Sequence, residues 1–198
     1  MRKLAILLGG ALALAACSSN PRTATPADLS NPLMAPGYLS MAGSSDQFEI
    51  QSGQLAQQMS QNPQVQSFGQ MLVTDHTNST QMLMAAAQSA RITPPPPTLL
   101  PEHQAMLDQL RAAGSGPSFD MAFQQAQVQA HQQALMLHQN YATSGDVPAL
   151  RTVAGQIVPV VQRHLQMVQT LQVAAAPPPP PPPPPVAAPP VRRSGERG

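Results

Sequence analysis

Four long segments of this chain carry apolar side chains at the three- and four-residue spacing of an α-helix. No stretch alternates in the manner of a strand. Over 46–61 the stripe is Phe48, Ser52, Leu55 and Met59, and over 63–90 it is Val65, Phe68, Leu72, His76, Leu83 and Ala90. Over 118–141 it is Phe119, Phe123, Ala126, Ala130, Ala134, Leu137 and Tyr141. Over 147–172 it is Leu150, Val153, Ile157, Val161, His164, Val168 and Leu171. The turns at Asn62 and Gly145 are short, which makes the first and second, and the third and fourth, segments antiparallel neighbours. Stripes of this kind can be buried only against one another. The expected fold is therefore all-α, a four-helix bundle whose long crossover, between the second and third helices, holds a short extra helix at 102–113.

Proline placement bounds this unit. Of 24 prolines among 198 residues, four fall between 18 and 39 and eleven beyond 175, including the unbroken run Pro177–Pro185. Eight more stand at expected loops or helix starts, and only Pro159 falls inside a periodic segment, where its ring would crowd the carbonyl of Gly155 and favour a kink. The expected organisation is a linker at 18–39, the bundle at 40–174 and a disordered Pro-rich tail at 175–198. Only 10% of residues are charged. The 25 glutamines, mostly on the outward faces, supply polarity without charge.

The first 16 residues are expected to be removed. Arg2 and Lys3 precede the apolar run Leu4–Ala16, which is too short for a bilayer core needing about 20 residues. The end of this signal peptide, Leu14-Ala15-Ala16-Cys17, resembles the lipobox of bacterial lipoproteins. The resemblance implies cleavage before Cys17, lipidation of its sulfur and a membrane anchor of several acyl chains. Ser18 after the cysteine favours sorting to the outer membrane, with the bundle facing the periplasm. Loss of Arg2 and Lys3 leaves 8 basic against 9 acidic residues and no lysine. Such a chain has no basic block for nucleic acid. With a single cysteine it has no disulfide framework and no Cys-based zinc motif.

One polar residue per long helix falls on or beside the core face: Glu49, His76, His131 and His164. Glu49 is 13 residues before the Asn62 turn and His76 is 14 after it, so the two lie at nearly one height. His131 and His164 differ in level by about 4.5 Å of helical rise. The four can converge near mid-bundle, with Asp75 as a further ligand or as the partner that orients an imidazole. Each also has a structural reading. Asp46-Gln47-Phe48-Glu49 has the spacing of a capping box, with Asp46 as N-cap. Buried histidines and a carboxylate can also bond to one another as a metal-free polar network. His138 has no polar partner at its level, and His103, in the crossover, is expected to be solvated.

A bound metal would be constrained in type. No Glu-x-x-His occurs and the fourth helix has no carboxylate, which disfavours a di-iron carboxylate centre. Three imidazoles and a carboxylate suit a divalent ion: zinc, copper(II), or mononuclear iron or manganese. The 11 methionines include no Met-x-x-Met cluster and are better read as core gap-fillers than as copper(I) ligands. No Gly-x-Ser-x-Gly or Gly-rich phosphate loop is present, so no enzymatic activity is expected.

Phe48-Glu49, Leu55-Ala56, Val65, Phe68, Met71, Asp75-His76-Thr77, Ser118-Phe119-Asp120, His131, Ala154, Pro159 and His164-Leu165 together resemble a bacterial envelope family, domain of unknown function 4142. The match covers about 40–172 and implies a ferritin-like helical bundle in an exported protein. The expected function is a non-enzymatic structural or interaction module of the cell envelope. Its Pro-rich tail, ending in Arg192, Arg193 and Arg197, would meet an envelope protein or polymer. The alternative is a metal-binding or metal-handling bundle.

Overall fold

In a computed structural model of the chain, residues 26–96 and 98–173 are described; the expected signal peptide, Cys17 and the Pro-rich tail lie outside them. The described residues are all-α, with six helices and no strand: α1 Pro26–Ser30, α2 Ala35–Met59, α3 Pro63–Ser89, α4 Pro101–Ala112, α5 Pro117–Ser144 and α6 Pro148–Thr170. A proline stands in the first turn of each of α2 to α6. There its missing N–H is one the helix cannot use, and its fixed φ already suits the turn. Asn62 caps α3 by accepting from the Gln64 amide at 2.9 Å. Ahead of α5, Gly114 and Gly116 take φ of 77° and 72°, a left-handed turn that side chains resist. The Gly116 amide donates to the Met59 carbonyl at 2.8 Å, tying this turn to the end of α2.

The start of α2 corrects the sequence expectation. It begins at Ala35 instead of near 46, adding about three turns, the first of them from the stretch expected as linker. Those turns carry few large apolar residues, so a stripe search passes over them. They are buried through small ones, Ala42, Gly43, Ser44 and Ser45, and through Tyr38. Asp46 consequently lies inside the helix, and the capping-box reading fails. At the other end, α6 runs through Pro159.

The long helices pack in a ring: α2 against α3 and α5, α6 against α5 and α3, with α4 laid across α2 and α5. The approach of α2 to α3 depends on paired glycines. A Cβ on Gly53 would lie 2.5 Å from the Gly69 carbonyl oxygen, and one on Gly69 would lie 2.7 Å from that of Gly53. The apolar interior is divided in two. One cluster holds Tyr38, Leu83, Tyr141, Leu150 and Ile157. The other holds Phe48, Phe68, Leu72, Leu107, Phe119 and Phe123. Between them lie buried polar side chains from all four long helices: Asp46, Glu49, His76, Ser79, Gln127, His131 and His164.

Candidate metal centre

The fold brings His76, His131 and His164 together. Their ring centroids form a nearly equilateral triangle, 5.8 Å from His76 to His131, 5.6 Å from His76 to His164 and 5.4 Å from His131 to His164. Each offers one nitrogen, and the three nitrogens lie within 4.8 Å of one another. The rings come from α3, α5 and α6. Phe68 stands beside two of them, with centroids 6.3 Å from His131 and 6.1 Å from His164.

Each imidazole is held by its other nitrogen. His76 Nδ1 donates to Asp46 Oδ1 at 2.8 Å, and the second Asp46 oxygen accepts from Thr80 at 3.0 Å. His131 Nδ1 donates to the Gln127 carbonyl, one turn back on α5, at 2.9 Å. His164 Nε2 donates to Asp75 Oδ2 at 2.9 Å, and Arg163 donates to the same oxygen at 3.0 Å. An acceptor on one ring nitrogen fixes the N–H there and leaves the other nitrogen as the lone-pair donor. The nitrogens left without any partner are His76 Nε2, His131 Nε2 and His164 Nδ1, all fully buried. Asp75 therefore takes the orienting role of the two considered for it.

Glu49 sits differently from the expectation. Asp46, one turn earlier on α2, meets His76, and Glu49 instead faces α5, with Oε1 3.5 Å from His131 Nδ1. It is fully buried, neither of its oxygens has a hydrogen-bond partner, and it lies outside the set of converging nitrogens. Burial raises its pKa to about 7, against the opposing pull of His76 and the Gln127 side chain. Burial lowers His131 to about 3 and His164 to about 4, with the charge of His76 adding to both. For His76 burial also works against the charged form, but the Asp46 hydrogen bond and the nearby carboxylates Glu49, Asp46 and Asp75 outweigh it and raise its pKa. Burial thus favours the neutral forms of His131, His164 and Glu49, while the surrounding carboxylates pull His76 the other way.

This arrangement does not close on itself as a polar network would. Glu49 and the three histidines have unpaired buried atoms, and each such atom costs about 1–3 kcal/mol in an apolar interior. A cation between the rings would satisfy the three histidine nitrogens, with Glu49 as a nearby countercharge. At about 2.0–2.1 Å from each nitrogen it would hold tetrahedral ligands about 3.3 Å apart, so the rings need to draw in by no more than about 1.5 Å. The unpaired atoms and the donor chemistry both fit a borderline divalent ion.

Other polar positions depart from expectation. His103 is buried, with Nδ1 2.7 Å from the Ser44 hydroxyl and its ring stacked 5.5 Å from Phe48. His138 does have a partner, the Tyr38 hydroxyl, hydrogen-bonded to its Nδ1 at 2.9 Å. Both partners lie in the part of α2 that apolar periodicity passed over. Three methionines expected as gap-fillers, Met121, Met136 and Met167, stand 42%, 58% and 40% exposed. Sequence reading also missed Asp46, Gln127 and Ser79. The one available signal was spacing: Asp46 is three residues before Glu49, and Gln127 is four before His131, the same helix face in each case.

The family model described as Domain of unknown function (DUF4142) matches residues 18–171, and the chain belongs to that family. No curated relative matches the chain. Two similar solved structures are "CopM in the Cu(II)-bound form" and "CopM in the Ag-bound form (by co-crystallization)". They are each 18% identical over 69% of this chain and 93% of theirs, with TM-scores of 0.58 and 0.57. At that identity the likeness is one of fold.

Proposed function

As a member of that family with three imidazoles converging on one point, we propose that the chain is a metal-handling bundle of the bacterial cell envelope. It would hold one divalent transition-metal ion, copper(II) or zinc, between His76 Nε2, His131 Nε2 and His164 Nδ1. The observation that carries this reading is the set of three buried, unpartnered ring nitrogens, each fixed by a hydrogen bond at the opposite nitrogen. The carboxylates of Asp46 and Asp75 strengthen imidazole donation through the ring, and Glu49 supplies a buried countercharge beside His131. Imidazole donors suit copper and zinc better than manganese, and among divalent ions nitrogen sites favour copper(II). The fold likeness to a protein solved with Cu(II) and with Ag supports the metal reading over a purely structural module.

We read the ring of four long helices as a ferritin-like four-helix bundle with α4 in its crossover. Lipidation at Cys17, an outer-membrane anchor facing the periplasm, and an envelope partner for the tail remain part of the proposal. They rest on sequence alone, and a Cys17→Ser variant that still partitions with membranes would sink the anchor. No helix among the described residues is long and apolar enough to cross a membrane.

The test is metal analysis of protein purified without a histidine tag. After loading with copper(II) or zinc and exhaustive dialysis, about one ion per chain is expected, and none in His76→Ala or His164→Ala. Stoichiometry unchanged in the His164→Ala variant would overturn the reading.

A further inference from the structure

Resting on the three-histidine reading, we propose that the bound ion keeps one exchangeable position. This position opens to the cavity between α3 and α6 and takes a small monodentate anion or a water-sized ligand held by Ser79. The first observation is the count of donors. Among the described residues three nitrogens converge, and no fourth ligand joins them. Glu49 lies outside the set, and the oxygens of Asp46 and Asp75 facing the centre are committed to His76 and His164. A borderline ion that prefers four ligands is left one short.

The second observation is the cavity itself, about 220 Å³ in volume and lined by His76 and Ser79 from α3 and by Ile157, Val160 and Val161 from α6. At roughly 30 Å³ per water it has room for about seven water-sized groups, and it falls short of the ~300 Å³ at which drug-sized ligand pockets begin. His76 belongs both to this wall and to the converging set.

Ser79 identifies the chemistry. Hydroxyls inside helices usually turn back to a carbonyl one turn earlier. On α3 both Thr74 and Thr77 do so, to Gln70 and Val73. Ser79 does not. It lies one turn beyond His76, is 6% exposed, and its Oγ has no partner. A buried, unpartnered hydroxyl on the wall of a cavity beside a metal ligand is a donor for whatever fills that cavity. The one carboxylate on the wall, Asp75, is paired with Arg163, so an anion is not turned away.

The probe is azide added to copper(II)-loaded, untagged protein, followed by visible absorption and electron paramagnetic resonance. A saturable azide-to-copper charge-transfer band is expected. Ser79→Ala should weaken azide about fivefold by removing one hydrogen bond. Val160→Phe, at the partly exposed edge of the cavity, should weaken it tenfold or more, with copper stoichiometry unchanged in both variants. Copper retained without any azide band overturns the open position while leaving the metal centre standing. Azide binding equally well in both variants overturns the role of the cavity. Failure of the wild-type protein to retain copper overturns the metal centre and this proposal with it.

Discussion

Asp46 and His76 are thirty residues apart in the chain and 2.8 Å apart in the fold, carboxylate to imidazole Nδ1, both almost wholly buried. The contact ties α2 to α3 and fixes which nitrogen of His76 faces the centre. The same arrangement recurs at His131 and His164 with a carbonyl and a carboxylate, so three rings on three helices are aimed by three separate acceptors.

Asp46→Asn should keep the fold and weaken the metal. The amide can still accept from His76 but no longer places a charge behind it, and loss of such a partner typically costs 10–100-fold in affinity. A competition titration with a chelator of known affinity measures this. Affinity unchanged within a factor of two would mean that Asp46 is merely structural.

Glu49→Gln should move apoprotein and metal-loaded protein in opposite directions. Without metal, Glu49 is a buried carboxyl group with no hydrogen-bond partner, so the neutral amide should stabilise the apoprotein by about 1–2 kcal/mol. With metal, the lost countercharge should lower affinity about tenfold. Urea denaturation of both forms reads the two effects, and destabilisation of the apoprotein would contradict the first.

Two Gly→Ala changes in α2 should have opposite signs. A Cβ at Gly53 meets the Gly69 carbonyl at 2.5 Å, whereas at Gly43 nothing lies within 4 Å. Gly53→Ala should destabilise by about 1–3 kcal/mol by forcing α2 and α3 apart. Gly43→Ala should stabilise by about 0.5–1 kcal/mol through the entropy of the unfolded chain. Equal denaturation midpoints for the two would refute the close-approach argument.

His138 should contribute a defined slope to stability against pH. Burial lowers its pKa from 6.5 to about 4; the Asp46 charge opposes this, that of His76 adds to it, and the Tyr38 hydroxyl occupies Nδ1. Between those values the unfolded chain takes up a proton that the folded protein refuses. The contribution is therefore complete above pH 6.5 and is lost as pH falls through about 4, amounting to ~3 kcal/mol at most. His138→Gln should flatten the apoprotein's stability profile in that window. A profile parallel to wild type would show that His138 does not stay neutral in the fold.

Much of this protein was legible in the sequence, because large apolar residues at helical spacing announce which face must leave water. Those stripes placed α3, α5 and α6 to within a few residues, put His76 and His164 inside and left His131 at the edge of its stripe. Resemblance added the family. The first three turns of α2 were not legible, since alanine, glycine and serine show no hydrophobic contrast even where they are packed tightly. That omission hid Tyr38 and Ser44, and with them the partners of His138 and His103.

The centre's chemistry was decided only by tertiary structure. Height counted along two helices is good to about one turn, and one turn separates Asp46 from Glu49. The sequence therefore determined that a carboxylate on α2 lies near the histidines. Only the packed register determined that Asp46 takes His76, that Glu49 is left beside His131, and that three clustered rings each keep one nitrogen unpaired. Hydrogen-bond geometry is resolved at tenths of an ångström and helical periodicity at about five, and the choice between a closed polar network and an open metal site lies between those scales.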